Sequence, residues 1–141
     1  MQWVETGDTV RFNEVDEWGI AWYGHYMAWF EIGRMKLLKK FDLLPRQLVE
    51  LGYIAPVVDL ACRYNQSALC GQKIVIRSTV TKPEIAALIF RFEILSRDSR
   101  QLLAEGETTQ VILRTDKTMI YRLSGELDTR VTRMVNYCKG S

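Results

Sequence analysis

The sequence predicts an α+β domain in which an antiparallel sheet packs on one long central helix. Three observations carry this. One long segment, "HYMAWFEIGRMKLLKKF" over residues 25–41, has apolar residues at helical spacing. Four segments downstream of it read as strands, two of them alternating apolar and polar residues with period two. Short polar stretches join consecutive strands, as hairpins require.

The elements follow in order. "TVRFNEVD" begins with β-type residues and breaks into a polar loop, so a strand is expected over Glu5–Phe12. In the long helix, Met27, Phe30, Arg34, Leu37 and Leu38 follow one face, and Tyr26, Trp29 and Ile32 widen it, so its front half should be buried nearly all round. Gly33 costs such a helix about 1 kcal/mol, which suggests a close neighbour there, such as a sheet. "LLPRQLVELGY" predicts a short second helix, with Pro45 in its first turn and Gly52 as its stop. "IAPVVDLACRY", "QKIVIRSTVTK", "ALIFRFEILS" and "LLAEGETTQVILRT" are the strands, with "PEIAA" and "RDSRQ" as hairpin turns. "SGELDTRVTRMVNY" closes the chain as a short amphipathic helix. No linker, repeat or low-complexity stretch interrupts the pattern, so a single domain over residues 1–141 is expected. A sheet with helix on one face leaves an edge that invites a second copy, so a homodimer is expected.

Composition narrows the function classes. The formal net charge is +2 and the basic residues are scattered, which argues against a nucleic-acid groove. No apolar run reaches the roughly 18 residues of a membrane span, and the N-terminus shows no signal-peptide pattern, so a cytoplasmic protein is expected. Cys62, Cys70 and Cys138 form no CxxC pair, and with one histidine a zinc site lacks ligands, so no metal site is expected.

The unusual stretch is "VDEWGIAWYGHYMAWFE", residues 15–31, which holds the only histidine and three of the four tryptophans. It places Asp16 ahead of a glycine-marked, aromatic turn into the long helix. By itself such an acid is a turn or cap residue, although Asp16 lies well upstream of the helix start. Glu14 and Glu17 beside it read as solvated. Glu31 and Arg34 have the spacing of a helix ion pair. Asp59 sits in an apolar strand, where period two puts Val57, Asp59 and Ala61 on one face with Arg63, the expected ion-pair partner.

Taken together, Asp16, Gly19, Ile20, Tyr23, His25, Tyr26, Glu31 and Arg34, within "VRFNEVDEWGIAWYGHYMAWFEIGR", resemble the hotdog-fold acyl-CoA thioesterases of the 4-hydroxybenzoyl-CoA thioesterase family. The "GE" of the last long strand and the hairpins also fit, and the resemblance covers residues 4 to 132. It implies a sheet wrapped round the central helix, a dimer with one continuous sheet that commonly pairs again into a homotetramer, and an active site at the dimer interface. It also implies hydrolysis of an acyl-CoA thioester, with coenzyme A as part of the substrate and no separate cofactor.

A thioester carbonyl needs a nucleophile or an activated water, and a positive feature where its oxygen gains charge. Asp16 is then the nucleophile or general base, and the backbone N–H of Tyr23 or Gly24 at the helix start polarises the carbonyl. Gly19 permits the turn, while Trp18, Ile20 and Trp22 keep the pocket dry. His25, Val57 and Asp59 are expected to contact the substrate. The hairpin "TKPEIAA" departs from the basic, phosphate-holding loop of the family. Lys82 is its one cation, so an acyl carrier protein is an alternative to coenzyme A. A dehydratase or hydratase acting on a thioester, and a non-catalytic thioester-binding domain, are the other functions to weigh. Asp16 and His25 lack the spacing of the His–carboxylate dyad the former needs.

Overall fold

The computed structural model describes residues 1–140. Seven strands and three α-helices follow the chain. They are β1 Val4–Thr9, α1 His25–Lys40, α2 Pro45–Leu51, β2 Tyr53–Ile54, β3 Val57–Tyr64, β4 Lys73–Thr81, β5 Ala87–Ser96, β6 Leu102–Val111, β7 Leu113–Arg114 and α3 Gly125–Lys139. Five strands form an antiparallel sheet in the order β1-β4-β5-β6-β3, and β2 pairs with β7 in a separate ribbon. The α+β expectation is met, and β1 is shorter than its predicted span.

α1 and α3 both pack on β4. The glycine in α1 is where helix and sheet touch: a Cβ at Gly33 would lie 2.8 Å from Ile76 Cγ2. The Ser78 hydroxyl donates to the Gly33 carbonyl at 2.9 Å. Trp29, Leu37, Ile74, Ile76, Phe90 and Ile94 form the centre of one core, each with no exposure. α3 adds Leu127, Val131, Met134, Val135 and Cys138 to the same core, an apolar stripe at helical spacing on a helix longer than expected. The front of α1 is not buried all round, since Ile32 is 42% exposed. Arg34, by contrast, is buried and ion-paired with Glu31.

A second close approach lies on β6. Phe30 fills the place a Cβ at Gly106 would take, and the Ala61 carbonyl lies 3.1 Å from it. Phe30 cannot swing aside, because its ring stacks on Phe92 with centroids 4.9 Å apart. Gly106→Ala is therefore expected to cost about 1–3 kcal/mol by overpacking. The midpoint of urea unfolding measures this, and an unchanged midpoint would refute the contact.

β3 is an edge strand whose residues are all exposed except the half-buried Cys62. A bulge between Val57 and Asp59 shifts its register, so Val57 pairs with Gln110 while Asp59 pairs with Thr109. The extra residue turns Val57 toward α1 and sends Asp59 outward with Ala61 and Arg63. The expectation of one shared face for Val57 and Asp59 fails for that reason. The expected Asp59–Arg63 ion pair is also absent among the described residues; four residues along a strand span about 13 Å.

Candidate active site

Residues 15–21 form a small hairpin. Asp16 N–H donates to the Ile20 carbonyl at 2.9 Å and Gly19 N–H to the Asp16 carbonyl at 3.0 Å. Gly19 sits at φ 78°, the left-handed position that closes such a loop at low cost to glycine. One Asp16 carboxylate oxygen accepts the Trp18 N–H at 2.8 Å, which fixes the side chain in the turn. Asp16 does not cap α1. Gly24 is the N-cap, and no side chain satisfies the amides there.

The helix start is aimed by its own hydrogen bonds. The Trp22 N–H donates to the Glu14 carbonyl at 3.0 Å, and the Trp22 carbonyl accepts the His25 N–H at 2.8 Å. In a trans peptide the carbonyl and the next N–H point oppositely, so the Tyr23 N–H points out of the first turn. The Tyr64 hydroxyl donates to the Tyr23 carbonyl at 2.7 Å. By the same geometry the Gly24 N–H points away from Tyr64. Partial desolvation of the hydroxyl end, with a smaller contribution from Cys62, pushes the Tyr64 hydroxyl up to about 12, so it stays a donor at neutral pH.

Asp16, Ile20, Tyr23, Tyr26 and Tyr64 line a cleft of about 300 Å³, with Trp18 at its edge and Asn65, Gln66 and Ser67 closing it. Tyr26 and Tyr64 meet edge to face at 4.9 Å, and the Tyr26 hydroxyl accepts the Ala68 N–H at 3.1 Å. The sequence alone did not point to Tyr64, Asn65, Gln66 or Ser67. They come from the end of β3 and the turn beyond it, and only long-range pairing brings them to Asp16. A larger concavity of about 510 Å³ lies over β3, β5 and β6, lined by Arg63, Arg91, Glu93, Glu105 and Glu107. Arg91 there is paired with Glu107, and the helix start that could polarise a carbonyl is not part of it.

The other expected site residues fall elsewhere. Gly24 does not line the cleft; the Trp22 ring lies against it, where any Cβ would clash. Trp18 and Trp22 are 84% and 53% exposed, so within one chain they do not dry the pocket. His25 turns away from the cleft and pairs through Nε2 with Glu14. Glu14 is buried rather than solvated, and its carboxylate also accepts the Arg11 N–H at 2.6 Å. This clamp ties the loop to the first turn of α1, and Arg11 in turn pairs with Asp8 at 3.1 Å. The Lys82 ammonium donates to the Pro83 and Ile85 carbonyls at 2.9 and 3.0 Å, so it locks its own hairpin. Val57 faces the groove beside α1, and Asp59 lies on the outer face of the sheet. Among the described residues no cluster of three or more His, Cys, Asp or Glu could hold a metal, and no helix is long and apolar enough to cross a membrane.

Comparisons with known proteins bear on the fold and the family. A Synechocystis sp. protein named "Putative esterase" is 29% identical over 121 residues, covering 86% of this chain and 73% of that protein. A Bacillus subtilis protein named "Putative acyl-CoA thioesterase" is 31% identical over 71 residues, about half of each chain (50% and 51%). The crystal structure of a 1,4-dihydroxy-2-naphthoyl-CoA thioesterase from Synechocystis superposes with a TM-score of 0.83 at 16% identity, covering 95% and 96% of the two chains, which establishes the hotdog fold. The family model of the Thioesterase-like superfamily matches residues 10–134, and the chain belongs to that superfamily.

Proposed function

We propose that the protein hydrolyses the thioester of an acyl-CoA to a free acid and a thiol. The observation that carries this reading is one cleft lined by both Asp16 and Tyr23, the residue just ahead of the uncapped start of α1. In one route the free Asp16 oxygen attacks the carbonyl carbon, the C–S bond breaks, and the thiolate leaves with the electron pair and takes up a proton. Water then opens the resulting anhydride. In the other route Asp16 takes a proton from water as the water attacks the same carbon, and the same C–S bond breaks. The Tyr23 N–H donates to the carbonyl oxygen as it gains charge, and the uncapped start of α1 adds its dipole.

The same reading gives Tyr64 a positioning role, because its hydroxyl holds the Tyr23 carbonyl. Tyr64→Phe is expected to lower kcat roughly 2- to 10-fold, the worth of one hydrogen bond, with KM moved less. Steady-state kinetics decides this: a change confined to KM would make Tyr64 a wall of the cleft only.

The reading also pairs two copies along β3, whose edge is unpaired and whose Val58, Leu60 and Tyr64 are exposed. That would bring a second surface over Trp18 and Trp22. Coenzyme A is the proposed carrier. The engagement of Lys82 within its hairpin keeps an acyl carrier protein as the alternative, and parallel assays on the two carriers separate them.

One observation bears on a second reading, thioester hydration. Glu14 and His25 form a His–carboxylate pair at the start of the central helix, outside the lining of the Asp16 cleft. A panel of acyl-CoAs followed by a thiol-detecting reagent, with an enoyl-CoA included, tests both. Thiol release that depends on Asp16 supports hydrolysis. Hydration of the enoyl group without thiol release would replace it.

A further inference from the structure

The stretch that carries Asp16 and the stretch that starts α1 are joined through one residue, Glu14. Its backbone carbonyl accepts the Trp22 N–H at 3.0 Å, and its carboxylate accepts from His25 Nε2. Residues 22 and 25 bracket Tyr23 and Gly24, the two positions just ahead of the helix. One bond between loop and helix would leave a pivot. Two bonds, three residues apart, fix an angle as well as a distance. Beyond Glu14, Val15 bridges Ala21 and the Asp16 N–H donates to the Ile20 carbonyl at 2.9 Å, so Asp16 is carried on the same frame.

The Glu14 side chain does more than close its own turn. One carboxylate oxygen suffices for the 3₁₀ turn Phe12–Glu14, where it accepts the Arg11 N–H at 2.6 Å. The second oxygen is taken by His25, with the Arg11 guanidinium beside it at 3.4 Å. Glu14 is 8% exposed, and a carboxylate so buried is tolerated only when its oxygens are paired. Charge-assisted bonds of this kind are about twice as strong as neutral ones. His25 is braced as well: its ring meets the Trp29 ring edge to face at 5.1 Å, and Trp29 has no exposure. Neither Glu14 nor His25 lines the Asp16 cleft. Their bond therefore reaches the cleft only through the backbone it holds.

We infer that the Glu14–His25 pair is a positioning device, which sets Tyr23 at the distance and angle from Asp16 that thioester hydrolysis needs. The inference rests on the thioester-hydrolase reading above. His25 contributes a donor at fixed reach and no proton to the reaction. A displacement of about 1 Å at the reacting groups costs on the order of 100-fold in rate, while binding of the rest of the substrate changes little.

The experiment compares His25→Phe, which keeps a ring against Trp29 and loses the donor, with His25→Gln, whose amide nitrogen stands near the place of Nε2. The probes are the acyl-CoA that the wild type turns over fastest in the panel above and its unreactive thioether analogue. His25→Phe should lower kcat about 10- to 100-fold, with the analogue bound at wild-type stoichiometry and its Kd within about twofold. His25→Gln should bring kcat back to within about threefold of wild type. Turnover by His25→Phe at the wild-type rate overturns the inference. So does a joint loss of kcat and of analogue binding sites, which marks a damaged fold. His25→Gln as slow as His25→Phe also overturns it, because the imidazole would then act in the reaction itself. Should the stranded Glu14 charge unfold His25→Phe, the double variant Glu14→Gln/His25→Phe removes charge and bond together and carries the same expectation. Amide hydrogen exchange over residues 14–25 reads the clamp without turnover. It should be faster in His25→Phe and restored in His25→Gln; unchanged exchange overturns the inference. If the wild type releases no thiol while exchange follows this pattern, the hydrolase reading falls and the clamp stands.

Discussion

Asp16→Asn should lower acyl-CoA hydrolysis by about 10²- to 10⁴-fold, the usual worth of a positioned acid or base, with the fold unchanged. Asparagine is the informative replacement. Its side-chain oxygen can still accept the Trp18 N–H that Asp16 accepts at 2.8 Å, so the hairpin of residues 15–21 keeps its geometry. Only the charge and the free carboxylate oxygen are lost. The measurement is thiol release under saturating substrate, beside a thermal melt of the same preparation. A variant that melts with the wild type and turns over at the parental rate would exclude Asp16 from the chemistry. Glu14 could not simply inherit the role, because its oxygens are taken up by the Arg11 amide and guanidinium and by His25.

Trp29→Ala should destabilise the fold by about 3–5 kcal/mol, a large share of the roughly 5–15 kcal/mol that holds a domain together. Trp29 has no exposure, and its ring meets those of His25 and Tyr26 edge to face at 5.1 and 4.9 Å. Removing it opens a cavity beneath the first two turns of α1. The indole N–H, however, is buried without a partner. Trp29→Phe therefore discards an unsatisfied donor along with part of the ring, and should lose less than its volume change alone implies. Denaturant unfolding should rank wild type above Trp29→Phe and both well above Trp29→Ala. A Trp29→Ala midpoint close to wild type would mean that the ring is not packed as described.

What the sequence made legible was local. The helix from His25, its glycine against a strand, the proline-started α2 ended by Gly52, and the hairpins at 82–86 and 97–101 all depend on residues a few positions apart. So does the Gly19 turn. What stayed hidden depends on partners far along the chain. Glu14 looked like one of two solvated acids flanking Asp16 because nothing near it announces that His25 folds back onto it. Tyr64 sits at the end of a strand and gains meaning only because β3 returns to the mouth of α1. Strict period two failed at Val57 because a bulge costs one residue and reverses every side chain before it. Trp18 and Trp22 read as pocket walls because aromatic residues usually find cover, and a single chain supplies none at that hairpin.

β3 carries two duties in eight residues. Its end supplies the hydroxyl that sets the Tyr23 peptide, and its length is the open margin of the sheet. The usual remedies for a sticky margin are a lysine, a proline or a sharper kink. Each would be written into the same short segment that aims the proposed donor. Attempts to make this protein better behaved in solution by recoding β3 would thus trade directly against turnover, and solubility engineering belongs on α3 or on the hairpin of residues 97–101 instead.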